Sequence, residues 1–209
     1  MTKQINGLKN DFKLCPMCGS KKIENHGNRK WICPDCGFDL YNNVAAAVGV
    51  VIYDKYNNVL FEVRGKEPRK GFLAIPGGFV DFGESAEEAI VRECREEIGV
   101  SVEGAQFLCT APNIYEYKGI EYKTCDIFFT AALPPQYESM NDFIKTLKAE
   151  EGEVVSFEAH RVAEPADIEA LPIAFESTRV TLHRWLNQWS LSGAVAERSR
   201  SIEGSKPQL

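Results

Sequence analysis

Long hydrophobic runs are absent from this sequence of 209 residues. No apolar stretch approaches the roughly 20 residues that a membrane-spanning helix needs, so we expect no membrane span. The first residues, MTKQINGLKNDFK, contain no apolar segment typical of a secretory signal, and we therefore expect a cytoplasmic protein. Hydrophobic residues still make up 44% of the chain and charged residues 26%, which suffices for a packed core and excludes a wholly disordered chain.

An excess of positive charge is also absent. The net charge is −6 at pH 7, whereas general polyanion binders are usually basic. Residues 1–40 carry a net charge of +3 and the remaining residues carry −9. An acidic body that binds a polyphosphate needs divalent cations to offset the repulsion. We therefore do not expect nucleic acid as the main partner, although the basic N-terminal segment leaves that alternative open.

Histidine is scarce, with three residues, whereas cysteine is frequent, with seven. Three of the cysteines, Cys94, Cys109 and Cys125, are scattered through apolar or strand-like sequence. No histidine lies in a context typical of a cysteine nucleophile, and disulfides are rare in the cytoplasm. We therefore expect these three to be small buried hydrophobic residues.

The other four cysteines form two near-identical motifs, Cys15-Pro-Met-Cys18-Gly and Cys33-Pro-Asp-Cys36-Gly, separated by 14 residues. Each C-x-x-C turn presents two thiolates to one ion, and four thiolates make the closed tetrahedral set of a structural zinc site. The pattern resembles a zinc ribbon and predicts structural Zn²⁺. The surrounding basic and aromatic residues are either nucleic-acid contacts or, as we favour, a solvated face: Lys21, Lys22, Arg29, Lys30 and Trp31.

Composition divides the chain into three segments, which are a ribbon with a flexible N-terminal arm (1–40), a larger domain (41–190) and a polar tail that we expect to be disordered (191–209). In the larger domain, apolar runs predict strands at 44–54, 59–64, 105–110, 123–132 and 154–162. A Gly- and Pro-rich loop is predicted at 65–78, and a Tyr-rich segment separates the third and fourth strands. Helices are predicted at 85–98, 138–148 and 174–190. Strands flanked by helices indicate a layered α/β fold.

The segment 85–98 has the features of a capped amphipathic helix. Ser85 is a suitable N-cap, Glu88 is placed to complete a capping box, and Gly99 favours termination. At about 100° per residue, four apolar side chains recur on one face, and these are Ala86, Ile90, Cys94 and Ile98.

Three carboxylates lie along the edge of this apolar face rather than opposite it, and they are Glu93, Glu96 and Glu97. Clustered carboxylates repel one another unless a multivalent cation lies among them, and oxygen ligands suit Mg²⁺ or Mn²⁺. A charged surface helix with ion pairs to Arg92 and Arg95 explains the helix equally well. The adjacent Pro76-Gly77-Gly78 favours the metal site, because glycine lets the backbone approach a ligand closely.

The segment from Gly78 to Val100 resembles the Nudix box, G-x5-E-x7-R-E-U-x-E-E-x-G-U, in which U is an apolar residue. The matching fixed positions are Gly78, Glu84, Arg92, Glu93, Glu96, Glu97 and Gly99. Cys94 fills a position where an aliphatic residue is more usual. The resemblance implies an α/β/α sandwich that hydrolyses a nucleoside diphosphate linked to another group.

The same resemblance implies roles for individual residues. The carboxylates that would bind Mg²⁺ or Mn²⁺, one of them also assisting deprotonation of water, are Glu93, Glu96 and Glu97. Gly78 or its neighbour Gly77 would offer a carbonyl ligand, and Arg92 and Glu84 would be mainly structural. A further acidic residue from a later loop often completes such sites. Among the acidic residues of KAEEGEV, at positions 150, 151 and 153, we select Glu153.

A four-Cys ribbon directly before a Nudix domain is similar to bacterial NADH pyrophosphatases. Those enzymes carry S-Q-P-W about ten residues after the box, where this chain has Thr110-Ala111-Pro112-Asn113 and retains only the proline. The resemblance implies ADP-ribose, NADH or a similar dinucleotide as substrate. Three residues are candidates for substrate binding, with ordinary structural roles as the alternative: Arg64 for a phosphate, and Tyr115 and Tyr117 for stacking on a base.

Other functions remain open on the sequence. A non-catalytic regulator could sense nucleotides or bind nucleic acid through the ribbon, but such proteins tend to lose box carboxylates, and all are present here. An enzyme that acts on the end of RNA is a further alternative. A homodimer is a modest additional expectation, because many Nudix proteins pair.

Overall fold

The computed structural model describes residues 12–188. The predicted disordered tail, 191–209, and the first eleven residues of the predicted N-terminal arm lie outside the described residues. Within residues 12–188, no helix is long and apolar enough to cross a membrane.

The segment around the four cysteines folds into a small antiparallel sheet. Its strands are β1 (Glu24–His26), β2 (Lys30–Ile32) and β3 (Asp39–Tyr41), with β2 in the centre. Trp31 of β2 is 5% exposed, and its ring centroid lies 5.1 Å from that of Phe12. Such a short sheet buries little apolar surface, so a unit of this size depends on a further cross-link.

The larger domain is built on a six-stranded mixed sheet. Its strands are β4 (Ala45–Tyr53), β5 (Asn58–Arg64), β6 (Leu73–Ala74), β7 (Gln106–Tyr117), β8 (Ile120–Ala132) and β9 (Val154–Arg161). The order is β6-β5-β4-β8-β7, and β9 pairs with β5. The helices are α1 (Ala86–Glu97), α2 (Met140–Ile144), α3 (Pro165–Ala170) and a final helix α4 at 176–188.

Alternate side chains of the strands face opposite sides of this sheet, and a helix covers each side. Val50 and Leu60 belong to the core that includes α1. Val51 and Phe61, their neighbours in sequence, belong to the other core with Trp185 of α4. Because side chains alternate along a strand, both faces of β4 and β5 are buried. The arrangement confirms the predicted α/β/α sandwich.

Helix α1 begins and ends close to the predicted positions. The Ser85 hydroxyl accepts from the Glu88 amide at 3.2 Å, and the Glu88 carboxylate accepts from the Ser85 amide at 2.8 Å, which completes the capping box. Ile98 caps the C-terminus, and Gly99 follows with a φ of 76°, a conformation that favours glycine.

The Tyr-rich segment differs from its prediction as a separate connection. Strands β7 and β8 are longer than expected and, beyond a bulge between Phe107 and Cys109, stay paired up to Tyr117 and Ile120. Only Lys118 and Gly119 form the turn, both with positive φ, which matches the twist of a two-residue hairpin. The tyrosines therefore lie on an extended hairpin.

Three smaller differences concern local elements. Strand β6 lies inside the predicted loop 65–78, because its two residues pair with β5. Helix α2 is shorter than predicted, and α3 was not predicted.

Among the scattered cysteines, Cys94 and Cys109 are buried as expected, but Cys125 is exposed. The Cys125 side chain points to the opposite face of β8 from the buried Asp126. Its partner on β4, Ala46, is also exposed.

Candidate active site and metal centres

Residues 76–80 run beside β4 and bring two glycines against the glutamate helix. The Val48 amide donates to the Gly78 carbonyl at 2.8 Å. Gly77 has a φ of 147°, and a Cβ at this position would collide with the Val48 carbonyl oxygen. A Cβ on Gly78 would lie 2.5 Å from a carboxylate oxygen of Glu93. Position 77 therefore requires glycine, whereas a side chain at Gly78 would displace the Glu93 carboxylate.

Arg92 joins the acidic residues of α1 to the preceding loop. Its guanidinium donates to both oxygens of Glu84 at 2.6 and 3.1 Å, to Glu93 at 2.8 Å and to Glu96 at 3.0 Å. It also donates to the Phe79 carbonyl at 2.9 Å. The hydrogen bond with Glu84 is the main reason that the pKa of Arg92 is raised and the pKa of Glu84 is lowered. Arg92 therefore fixes the directions of several carboxylates at once, as predicted from the box.

Glu97 is buried on the helix, and Glu93 is partly buried. Glu97 is 6% exposed, and its Oε2 accepts from the Gly77 amide at 2.7 Å. Burial raises the pKa of Glu97 well above its ordinary value, and the charge of Glu62 adds to this effect. Burial also raises the pKa of Glu93, although Arg92 opposes the shift. Two carboxylates held in a dry site favour the approach of positive charge.

A further buried carboxylate, Glu62, was not among the predicted site residues. It is 3% exposed, and its Oε2 has no hydrogen-bond partner. Burial raises its pKa to about 7, while Arg64 opposes the shift. A signal was available in the sequence, because Glu62 alternates with Phe61 and so shares the α1-facing side of β5 with the buried Leu60.

The loop that carries Glu153 is tied to the same region by its backbone. The Gly65 amide donates to the Glu153 carbonyl at 2.6 Å, and the Glu150 amide donates to the Glu97 carbonyl at 3.3 Å. The Glu153 carboxylate forms an ion pair with Lys66. The loop contacts both β5 and the end of α1, so the selected Glu153 lies beside the box glutamates.

The two glycines and most of these carboxylates line one cavity of about 330 Å³. Six glutamates contribute to it, namely Glu62, Glu93, Glu96, Glu97, Glu150 and Glu153. Another part of the wall comes from β4, β7, β8 and the start of α4. The volume is at the lower end of the range typical of ligand sites.

The donor set of the cavity suits a hard divalent cation. Its side chains offer carboxylate oxygens, and Glu62 Oε2 is buried without a partner. The carboxylates are not converged on one point, because Arg92 holds Glu93 and Glu96, the Gly77 amide holds Glu97, and Lys66 holds Glu153. Among residues 12–188, only the four cysteines bring potential metal-ligand atoms of at least three residues within 4.8 Å of one another. The chemistry of the glutamate set therefore fits Mg²⁺ or Mn²⁺.

Arg64 lies on the wall of this cavity. Its Nε donates to the Pro68 carbonyl at 3.0 Å, and its guanidinium lies 4.9 Å from the ring centroid of Phe175. Its Nη2 is buried without a hydrogen-bond partner. A stacked guanidinium with an unused donor is suited to a phosphate oxygen.

The two candidate tyrosines occupy different places. Tyr115 lines the cavity, and its ring centroid lies 5.8 Å from Phe175 and 5.9 Å from Phe79. Tyr117 instead lines a neighbouring hollow of about 270 Å³, which shares Lys66, Phe79 and Tyr115 with the cavity. The structure therefore brings Tyr115, but not Tyr117, to the glutamate-lined cavity.

The four cysteine thiols converge as two crossed pairs. Cys15 Sγ lies 3.7 Å from Cys36 Sγ, and Cys18 Sγ lies 3.7 Å from Cys33 Sγ. Sulfur atoms at about 2.3 Å from a tetrahedral zinc ion are about 3.8 Å apart, so these thiols fit Zn²⁺. Desolvation raises the pKa of the Cys15 thiol, but hydrogen bonds from the backbone of Cys18 and Met17 outweigh it and lower the pKa to about 7.

Both cysteine motifs have the same backbone geometry. The Gly19 amide donates to the Cys15 carbonyl at 2.8 Å, and the Gly37 amide donates to the Cys33 carbonyl at 2.9 Å. The two glycines have φ values of 73° and 76°. Each chain segment therefore folds around its own pair of thiols in the same way.

Two of the four basic candidate residues of the ribbon are paired with carboxylates. Lys22 forms an ion pair with Asp35 at 2.8 Å, and Lys30 forms one with Asp39 at 2.6 Å. Trp31 is buried, so its ring is not offered to a base. It belongs instead to the small core of the ribbon. The interpretation as a solvated face fits the two lysines.

The family can be decided at this point, because a model of the NUDIX domain matches residues 44–186. The chain belongs to the Nudix family. The match covers the sandwich, the box helix and the cavity, and it confirms the resemblance that the box residues indicated.

The Nudix chain is similar to proteins that hydrolyse nucleotide pyrophosphates. It is 25% identical over 139 residues to the NAD-capped RNA hydrolase NudC of Vibrio cholerae, covering 66% of this chain and 51% of that protein. It is 48% identical over 63 residues to the ADP-ribose pyrophosphatase of Methanocaldococcus jannaschii, covering 30% of this chain and 37% of that protein. The chain thus spans about half the length, or less, of these relatives.

A solved structure supports the fold. The NUDIX domain of Shewanella oneidensis NrtR, complexed with ADP ribose, superposes with a TM-score of 0.54 at 20% identity, covering 75% of this chain and 93% of that domain. At this identity the similarity establishes the sandwich and nothing finer.

Proposed function

We propose that this Nudix protein is a Mg²⁺- or Mn²⁺-dependent hydrolase of the pyrophosphate bond in a nucleoside diphosphate linked to another group. ADP-ribose, NADH or a similar dinucleotide is the proposed substrate. One observation carries the proposal: carboxylates from α1, β5 and the loop at 150–153 line one cavity together with Arg64. A surface helix with local ion pairs would not bury Glu97 to 6% exposure.

The cation is assigned to the carboxylates of Glu93, Glu96, Glu97 and Glu153 and to the Gly78 carbonyl. A bound divalent cation neutralises phosphate oxygens and makes its water a better nucleophile at neutral pH. Glu97 Oε2 accepts from the Gly77 amide, so we assign Oε1 to receive the proton of the attacking water.

Arg92 and Glu84 position these carboxylates rather than touching substrate. The Arg92 bonds to Glu93 and Glu96 set the directions of both side chains, and Glu84 holds the guanidinium at 2.6 and 3.1 Å. Fixed directions reduce the reorganisation that the reaction requires.

Substrate contacts are assigned to the remaining wall. The unused Nη2 of Arg64 is proposed to bind a phosphate oxygen, and the ring of Tyr115 is proposed to stack on a base. Tyr117 would contact only a substrate that extends into the neighbouring hollow. The ribbon cysteines are proposed to hold a structural zinc ion, since four thiolates leave no position for water.

A nucleotide panel with and without metal tests the proposal. Purified protein with Mg²⁺ or Mn²⁺ is expected to convert ADP-ribose to AMP and ribose 5-phosphate, or NADH to AMP and the reduced nicotinamide mononucleotide. NAD-capped RNA belongs in the panel because relatives carry that name. AMP, which has no pyrophosphate bond, is the control. No turnover of any member, with cation binding verified by calorimetry, would contradict the proposal and favour a non-catalytic nucleotide sensor.

A further inference from the structure

Three buried side chains on the cavity wall carry oxygen atoms that lack hydrogen-bond partners. They are Thr124 Oγ1, Asp126 Oδ1 and Ser177 Oγ. The three residues are 4%, 7% and 2% exposed, and all line the cavity. Buried polar atoms are paired in the great majority of cases, so three unpaired oxygens on one wall indicate a group that is bound there.

The strand register places only small side chains directly beside Asp126. Thr124 and Asp126 are two residues apart on β8, so their side chains share a face. Asp126 pairs with Ala47 on β4 and with Ala111 on β7. Both cross-strand neighbours are small, whereas larger side chains would cover the carboxyl group. Ala47 also lines the cavity.

An aromatic surface stands beside these oxygens. The rings of Tyr115 and Phe175 line the same cavity and are inclined at 37° to each other. Phe175 is two residues before Ser177, at the start of α4. An aromatic surface next to fixed polar groups suits a flat ring that carries a polar substituent.

We propose that Asp126, Thr124 and Ser177 form a specificity subsite that binds an amino group carried by a flat ring of the substrate. The proposal rests on the proposed function, and it names the end of the nucleotide that this wall recognises. A carboxylate oxygen accepts but does not donate, so its partner must supply N–H or O–H donors. An –NH₂ group supplies two donors, and the hydroxyls of Thr124 and Ser177 can accept as well as donate.

The same chemistry has two sources in the proposed substrates, which are the exocyclic amine of adenine and the carboxamide of nicotinamide. One arm of the test compares ADP-ribose with its analogue in which hydrogen replaces the 6-amino group. The other arm compares NADH with its reduced 3-acetylpyridine analogue, in which methyl replaces the amide –NH₂. Binding is measured by calorimetry with Mg²⁺ on the Glu97→Gln protein, so that turnover does not interfere.

The expected result is a preference of about tenfold or more for the amino-bearing ligand in one arm, since a hydrogen bond to a charged group is lost in the analogue. The arm that shows the preference identifies the source. In the Asp126→Ala variant the preference falls to about onefold, because the parent ligand binds more weakly while the analogue is unaffected. Its melting temperature is unchanged or higher, because an unpaired buried group has been removed.

Equal binding of parent and analogue in both arms would overturn the subsite, as would equal weakening of every ligand in Asp126→Ala. Should that variant not fold, Thr124→Val keeps the side-chain shape and carries the same ratio measurement. Thr181→Val is the matched control, because the Thr181 hydroxyl is buried but already donates to the Ser177 carbonyl at 2.8 Å. It is expected to lower stability without altering the preference.

The two proposals fail in different ways. Amino-selective binding without hydrolysis by the unaltered protein contradicts the proposed function and leaves the subsite intact. Hydrolysis without any amino preference contradicts the subsite alone.

Discussion

The cysteine cluster and the glutamate-lined cavity gather ligand atoms by different means. The thiols converge within 4.8 Å because each C-x-x-C turn folds on its own hydrogen bonds, around a sheet of three-residue strands. The carboxylates come from α1, β5 and a later loop, and a large apolar core on each side of the sheet holds them in place. The comparison shows that local chain geometry can build a closed site, whereas an open site for a substrate requires tertiary packing.

Loss of the ribbon metal is the largest effect that this comparison predicts. Structural zinc sites contribute about 10–16 kcal/mol to folding, so Cys33→Ser is expected to unfold residues 12–41. The sheet domain has its own cores and should keep its melting temperature. Amide hydrogen exchange measures both parts, with the exposed Cys125→Ser as the matched control. Retained protection of β2 in Cys33→Ser would contradict a ribbon that depends on metal.

The next largest effect is the loss of catalytic rate, without loss of folding, when a cavity glutamate is replaced. Glu97→Gln is expected to lower kcat by roughly 10²–10⁴-fold, because the amide cannot take the proton of the attacking water. Its shape is kept and a buried carboxylate with a raised pKa is removed, so the melting temperature should be unchanged or higher. The control is Glu87→Gln on the exposed side of the same helix, which should retain full activity. Steady-state kinetics with Mg²⁺ provides the measurement, and full activity in Glu97→Gln would refute the assigned role.

A third prediction concerns how the buried carboxylate of Glu62 lowers the free energy of unfolding at neutral and higher pH. Burial raises the pKa of Glu62 from 4.5 to about 7, so between these values the folded state binds a proton that the unfolded state releases. The stability that this proton binding by Glu62 contributes is therefore fully present below pH 4.5 and is lost as the pH rises through 7. Glu62→Gln removes this dependence and should stabilise the protein at pH 8 by at most about 3 kcal/mol.

Urea unfolding at pH 5.5 and pH 8, without added divalent cations, tests this expectation. The gain in Glu62→Gln should be larger at pH 8 than at pH 5.5. A gain that is larger at the lower pH would show that the carboxylate is stabilised as an anion. The exposed Glu87→Gln is again the matched control.

The smallest effect concerns the start of α1. Ser85→Ala removes the hydroxyl that accepts from the Glu88 amide, and the loss is expected to cost about 1 kcal/mol of unfolding free energy. Denaturant titration measures it, with the exposed Ser156→Ala on β9 expected to change stability by less than about 0.5 kcal/mol. A change within that smaller range for Ser85→Ala would show that tertiary packing alone fixes the position of the helix.

The sequence alone determined the elements whose signals are local. The two cysteine motifs, the capped helix with its glutamates and the alternation of the sandwich strands all depend on spacings of two to four residues, which chain geometry converts directly into direction. The same spacings allowed the prediction of the fold class and of Glu93 and Glu97 as neighbours on one face.

Only the tertiary structure decided which distant residues meet. Glu62 and Asp126 line the same cavity as Glu97, and Tyr115 reaches it while Tyr117 does not, because strand order and register set these relations. The Tyr-rich segment carried no local signal that distinguished a connection from a long hairpin. Contacts between residues far apart in sequence depend on the whole packed sheet, and no local spacing encodes them.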